Sequence, residues 1–135
     1  MDFSIDAALQ ADHDRLRAFV RDEIVPLEAD RKNYDSYGNI DMAVLQTLRA
    51  KVKAAGLWAP QIPREQGGLG YGPTGMAVLY EAMNYSIFGP VAFNCAAPDD
   101  GNMYILNKVA NDAQKDRWLT PIINGDVRSS FAMTE

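Results

Sequence analysis

The chain has 135 residues, 47% of them hydrophobic and 23% charged, and thirteen basic against eighteen acidic side chains leave a formal net charge of −5. This is the make-up of an ordinary folded domain that buries roughly two thirds of its unfolded surface, and its acidity argues against a nucleic-acid backbone as partner, which needs a basic face. A single cysteine, Cys95, excludes an internal disulfide, no apolar run approaches the ~20 residues of a membrane span, and Asp2 and Asp6 stand where a signal peptide would be positive. A cytoplasmic location is expected, or a mitochondrial or peroxisomal one in a eukaryote.

In chain order, the spacing predicts a first helix over about 5–27. Leu9, Leu16, Phe19, Val20, Ile24 and Leu27 form its apolar stripe, and Pro26 should kink or end it. After a polar connection over 30–39, Asp41 is the expected N-cap of a second helix. Val44, Leu45, Leu48 and Val52 face inward there, with Gly56 as the left-handed residue that follows. Residues 58–72 carry two prolines and four glycines and read as a loop. Pro73 suits the first position of a third helix, with Met76, Leu79, Tyr80, Met83 and Ile87 inward and Gly89-Pro90 as its stop. A fourth helical region is expected from Val91, restarted or kinked at Pro98, with Met103, Leu106 and Val109 packing inward. Asn111 and Gln114 spell a capping box for a fifth helix over about 112–123, with Trp118 and Ile122 inward and Pro121 bending its last turn.

The period then changes. Val127, Ser129, Phe131 and Met133 alternate with Arg128, Ser130 and Ala132, which predicts a strand. A lone strand cannot satisfy its own backbone groups, and no second convincing strand is present, so the sequence reads as the front end of something larger.

Several motifs are weighed against plainer readings. Gly70-Tyr71-Gly72-Pro73-Thr74-Gly75 spells G-x-G-x-x-G, but a dinucleotide site needs a strand directly before it. A Pro- and Gly-rich loop stands there instead. His13 lacks neighbouring ligands for a metal and lies among Asp12, Asp14 and Arg17, a pattern read as a solvated face. Cys95 sits among small apolar residues with no histidine at hand and reads as a buried thiol. Asn84-Tyr85-Ser86 is a glycosylation triplet placed mid-helix and is set aside. Asp99 and Asp100 are adjacent, so on a helix they point some 100° apart and do not converge on one atom. Negative charge in a first turn is explained by the helix dipole.

Five stretches in order carry a resemblance. IVPLEAD (24–30), AAGLWAPQIPREQGGLG (54–70), NCAAPDDGNM (94–103), NDAQKDRWLTPIINGD (111–126) and SSFAMTE (129–135) together resemble the acyl-CoA dehydrogenase family. The resemblance covers nearly the whole chain. It implies an all-α fold: an N-terminal helical domain over 1–125, of about five helices, and the first strand of a truncated middle β-domain over 126–135. It implies a flavoprotein oxidoreductase of fatty acid metabolism that removes the α-proton of an acyl-CoA with a glutamate outside this chain and passes the β-hydride to N5 of FAD. No catalytic residue is expected here, and the chain alone is expected to be inactive. Phe131, Ala132, Met133, Thr134 and Glu135 match the loop that edges the flavin. Ala96, Ala97 and Asp100 match positions lining the acyl channel, where an acid departs from a greasy lining and points to an oxygenated or short acyl group. The same segment is reminiscent of the kinase-fused members in animals, which handle hydroxylated acyl-CoAs. Implied partners are an acyl-CoA substrate, an electron-transfer acceptor and further copies of the full-length chain, as dimer or tetramer. Two other readings stay open: a non-catalytic helical interaction module, and a flavin monooxygenase or nitroalkane oxidase of the same fold.

Overall fold

The computed structural model describes residues 4–134. Helix α1 (Ala7–Phe19) is capped by Asp6, whose carboxylate accepts from the Ala8 and Leu9 amides. It runs into a π-helical turn (Val20–Ile24) and then a 3₁₀ turn (Val25–Ala29). Pro26 explains the change: it has no N–H to give to an i−4 carbonyl, so the winding alters around it. Leu16, Val20 and Ile24 are fully buried along this continuous helical segment, as their spacing predicts.

Helix α2 (Met42–Ala54) follows a turn organised by Asp35, whose carboxylate accepts from the Tyr37 and Asn39 amides at 2.8 Å each. These bonds hold the Asp35 carboxyl below the usual carboxylate range. Asp41 caps α2 as expected, accepting from Ala43 and Val44. Gly56 takes φ +66°, and the Leu57 amide reaches back to the Val52 carbonyl. Among the described residues the single β pairing is an isolated antiparallel bridge between Tyr34 and Ile40. Among the described residues no helix is long and apolar enough to cross a membrane.

The loop over 58–72 contains one short 3₁₀ turn (Arg64–Gln66) and ends where Pro73 opens α3 (Pro73–Met83). Helix α3 packs against α1, and its Met76, Leu79 and Met83 are buried. It stops four residues earlier than the sequence suggests. Gly89-Pro90 does not end it but opens a separate short helix, α4 (Gly89–Ala92). Ile87, expected inside, is therefore off the helical register and 68% exposed. The intervening turn is held from outside by Glu28, which accepts from the Ser86 hydroxyl and the Ile87 amide.

Helix α5 (Asp99–Val109) follows a cis Ala97–Pro98 bond. Met103 is buried and Leu106 partly so, whereas Val109, expected inside, is 76% exposed at the end of the helix. Asn111 and Gln114 make the expected capping box at α6 (Asp112–Gln114). A π-helical turn (Lys115–Leu119) leads into α7 (Thr120–Asn124). That turn inserts one residue relative to α-helical winding. The inward positions become Leu119, Ile122 and Ile123, and Trp118, expected inside, is turned to the surface. Gly125 closes the helices at φ +75°.

The strand expected over 126–135 forms no ladder among the described residues, and Glu135 lies outside them. Without a partner strand its backbone groups find no ladder mates, and the Ser129 amide and Ser130 carbonyl pair with side chains of α5 instead. Alternation fails as well, because neighbouring Arg128 and Ser129 both turn to one carboxylate, that of Asp99.

Candidate functional site

Helix α5 presents three faces, each with a different task. Asp99 begins it almost completely buried. Its carboxylate accepts from the Arg128 guanidinium, from the Ser129 amide at 2.6 Å and from the Ser129 hydroxyl at 2.7 Å. One helical turn on, the Asn102 amide donates to the Ser129 hydroxyl at 2.9 Å and to the Ser130 carbonyl at 3.2 Å. Asp99 and Asn102, at i and i+3, thus clasp the segment that leads to Phe131. Sequence reading assigned Asp99 only to the helix dipole. The signal for its second role, a basic residue far downstream, has no fixed spacing.

The second face carries Asp100, Met103, Tyr104 and Asn107, which share one stripe at three- and four-residue spacing. They line a cavity of about 450 Å³ closed from the other side by Ile62, Pro63, Pro73 and Met76. Asp100 and Asp99 point to different sides, as adjacency on a helix requires. Burial raises the Asp100 carboxyl above the usual carboxylate range, partly offset by hydrogen bonds from Tyr80 and Gln61. Tyr80 donates to the Cys95 carbonyl at 2.7 Å and lies 3.4 Å from Asp100 Oδ2; its own pKa is pushed up, mainly by burial. Cys95 is buried beside Gln61 Oε1 at 3.1 Å, and burial pushes its thiol well up, so it is a packed, un-ionised group.

The third face, with Asn102, Ile105 and Leu106, borders an open hollow of about 680 Å³ together with Trp118, Pro121, Val127 and Phe131. Here the residues matching the flavin loop are found. Phe131 and Met133 are 60% and 79% exposed, and Ala132 and Thr134 are also exposed. Among the described residues no backbone–backbone hydrogen bond engages 127–134. The Ser129 amide and Ser130 carbonyl serve Asp99 and Asn102, and main-chain groups outside any ladder beside an aromatic hollow fit a planar ring held at its edge. Glu135 lies outside the described residues.

The three acyl-channel candidates are not brought together. Asp100 borders the cavity just described, while Ala96 and Ala97 line a separate one of about 520 Å³ with Ile40, Phe88, Val91 and Arg128. The G-x-G-x-x-G stretch follows loop, not strand: Gly70 has φ +74° and Gly72 precedes α3. His13 is more enclosed than a solvated face implies, with its side chain 12% exposed against Asp14 at 3.1 Å. No cluster of metal-ligating side chains occurs among the described residues.

Sequence reading also missed the buried polar residues Arg49 and Asn94. Arg49 lies on the inward stripe of α2 between Leu48 and Val52; it stacks over Trp58 and donates to the Val91 and Gly125 carbonyls. Asn94, at φ +61°, donates to the Ile122 and Ile123 carbonyls at the end of α7. A buried arginine or asparagine serving distant carbonyls looks, in sequence, like any surface residue.

The model of the acyl-CoA dehydrogenase N-terminal domain matches residues 7–126. The chain is 37% identical to the Mycobacterium tuberculosis protein named "Probable acyl-CoA dehydrogenase FadE2", with all of this chain and 34% of that protein covered. It is 35% identical to mouse acyl-CoA dehydrogenase family member 10, over 91% of this chain and 12% of that protein. A solved structure from Mycobacterium abscessus, assigned as an acyl-CoA dehydrogenase, superposes with a TM-score of 0.84 at 34% identity, covering 98% of this chain and 35% of that one. The chain therefore spans about a third or less of these relatives.

Proposed function

Because this chain belongs to the acyl-CoA dehydrogenase family, as its N-terminal domain, we propose that it serves a flavin-dependent α,β-dehydrogenation of an acyl-CoA thioester. In this reading residues 1–125 are the helical domain and 126–135 begin a β-domain. FAD, when bound, supplies the hydride acceptor. Phe131, Ala132, Met133, Thr134 and Glu135 would edge its ring, largely through main-chain groups. The acyl group would lie against α5, with Asp100 on its wall. In this reading the general base is a glutamate outside this chain, and an electron-transfer acceptor and further copies of the full-length chain are its partners.

One observation carries the reading: Asp99 ties the flavin-matching segment to the helix that carries Asp100. A single buried carboxylate thereby fixes the spacing between the stretch proposed for the cofactor and the cavity proposed for the acyl chain. Since proximity and orientation dominate such reactions, a rigid link between the two is what the chemistry needs.

The test is a visible spectrum of the protein purified from its native source, before and after anaerobic addition of hexanoyl-CoA. Flavin absorbance that bleaches on addition supports the dehydrogenase. A colourless protein that gains no flavin on incubation with FAD overturns it and favours a helical interaction module.

A further inference from the structure

The hollow of about 520 Å³ that Ala96 and Ala97 line has an apolar interior and one basic residue on its wall, Arg128. Ile40, Leu45 and Phe88 are buried there, and Val91 joins them from α4. Arg128 gives only its Nε–H, to Asp99, and among the described residues its two terminal amino groups meet no acceptor. A guanidinium carries five donors in a planar fork that can hold a carboxylate through two of them at once. The side chain is 34% exposed, so the unused donors are open to a ligand.

The local charge is unbalanced as well. Arg49 lies behind the same wall, donating to the Val91 carbonyl, and its other partners are the Gly125 carbonyl and the Trp58 ring. The Arg49 and Arg128 guanidinium groups thus share a single buried carboxylate, Asp99. Burial lowers the Arg49 pKa, and the neighbouring Arg128 charge adds to that. Asp35 also lines the hollow, but the Tyr37 and Asn39 amides of its own turn occupy its carboxylate.

We propose that this hollow binds a small free aliphatic carboxylate, which accepts from the terminal amino groups of Arg128 while its hydrocarbon body lies on Ile40, Leu45, Phe88 and Val91. The ligand supplies the negative charge that Arg49, Asp99 and Arg128 together lack. It does so without displacing Asp99, which keeps the Nε–H. A neutral molecule of the same shape would fill the hollow and leave that charge uncompensated. The site is separate from the cavity at Asp100 assigned to the acyl group, so it does not depend on the acyl-CoA reading.

The experiment is a set of chemical-shift titrations of the 135-residue chain with hexanoate, hexanamide and acetate. Hexanoate should bind about tenfold more tightly than hexanamide, the gain of a hydrogen bond between charged groups. It should also bind about tenfold more tightly than acetate, which has the charge but not the hydrocarbon body. The shifts should centre on Phe88, Ala96, Ala97 and Arg128. Arg128→Gln should remove the preference for hexanoate over hexanamide. That substitution also strips Asp99 of its cation, so Ala97→Leu serves as a second variant. It leaves the Arg128–Asp99 pair in place, narrows the hollow and should weaken hexanoate binding about tenfold. Equal binding of hexanoate and hexanamide, acetate as tight as hexanoate, no saturable shift with any of the three, or unchanged hexanoate affinity in Ala97→Leu would each overturn the inference. Failure of the spectral test with FAD would leave this binding preference standing and sink only the redox reading.

Discussion

Arg128 donates its guanidinium to Asp99, joining the residue that opens α5 to one that lies beyond the last helix. Asp99 is 1% exposed, and the Ser129 amide and hydroxyl fill its remaining acceptor sites. A buried carboxylate is tolerable only when paired and hydrogen-bonded, and this one is both. The pair does more than fill a gap in the core. It decides where the flavin-matching segment leaves the helical domain.

Asp99→Ala should therefore act at two levels. It leaves the Arg128 charge and two Ser129 donors without their partner, so the domain should lose about 3 kcal/mol of stability in urea unfolding. It should also release the segment, so that the Ser129 amide, protected in the wild type, exchanges near the free rate. Unchanged exchange at Ser129 would show that the clasp does not hold the segment in solution.

Glycines give a second, opposite pair of expectations. A Cβ at Gly89 would lie 1.9 Å from the Met83 carbonyl oxygen, a backbone atom that cannot swing aside. Gly89→Ala should cost about 3 kcal/mol, at the upper end of ordinary overpacking. Gly101, inside α5, has nothing beyond its chain neighbours and its own helix backbone within 4 Å of the same position. Gly101→Ala should stabilise by about 0.5–1 kcal/mol through helix propensity alone. Denaturant midpoints of the two variants measure both.

Much of this fold was legible because local rules and tertiary packing agree. Asp41, Gly56, Pro73 and the Asn111–Gln114 box announce helix ends through bonds made within a few residues, and each is found in place. The misses have one physical kind of cause. Ile87, Val109 and Trp118 were placed by extending a 3.6-residue period past the point where the winding changes or the helix ends. The π turn at Lys115–Leu119 hands the buried position from Trp118 to Leu119, and nothing in the composition of that stretch marks it. At the site, the diverging directions of Asp99 and Asp100 followed from helix geometry. The partners of Asp99, Asn94 and Arg49, tens of residues away, did not.

The tryptophans report on that register shift. Trp58 is buried, with its indole N–H donating to the Ile123 carbonyl at 2.9 Å, while Trp118 is 46% exposed. Trp118→Phe should leave an emission that is blue-shifted and poorly quenched by iodide. Trp58→Phe should leave a red-shifted one that is quenched readily. The reverse pattern would place Trp118 inside and remove the π turn.

Asp100 predicts a pH dependence of unusual sign. Its folded-state pKa is raised, with burial as the leading cause, where a paired carboxylate would have it lowered. The native state thus holds the proton more tightly than the unfolded state does. Stability contributed by this group is complete below the unfolded value near 3.8 and is lost as pH rises through the higher folded value. Asp100→Asn cannot ionise, so it should match the wild type in strongly acidic buffer and exceed it at neutral pH. Thermal midpoints of the two proteins across the acid range read this directly. A difference that grows toward low pH would mean that the hydrogen bonds from Tyr80 and Gln61 outweigh burial at this carboxyl.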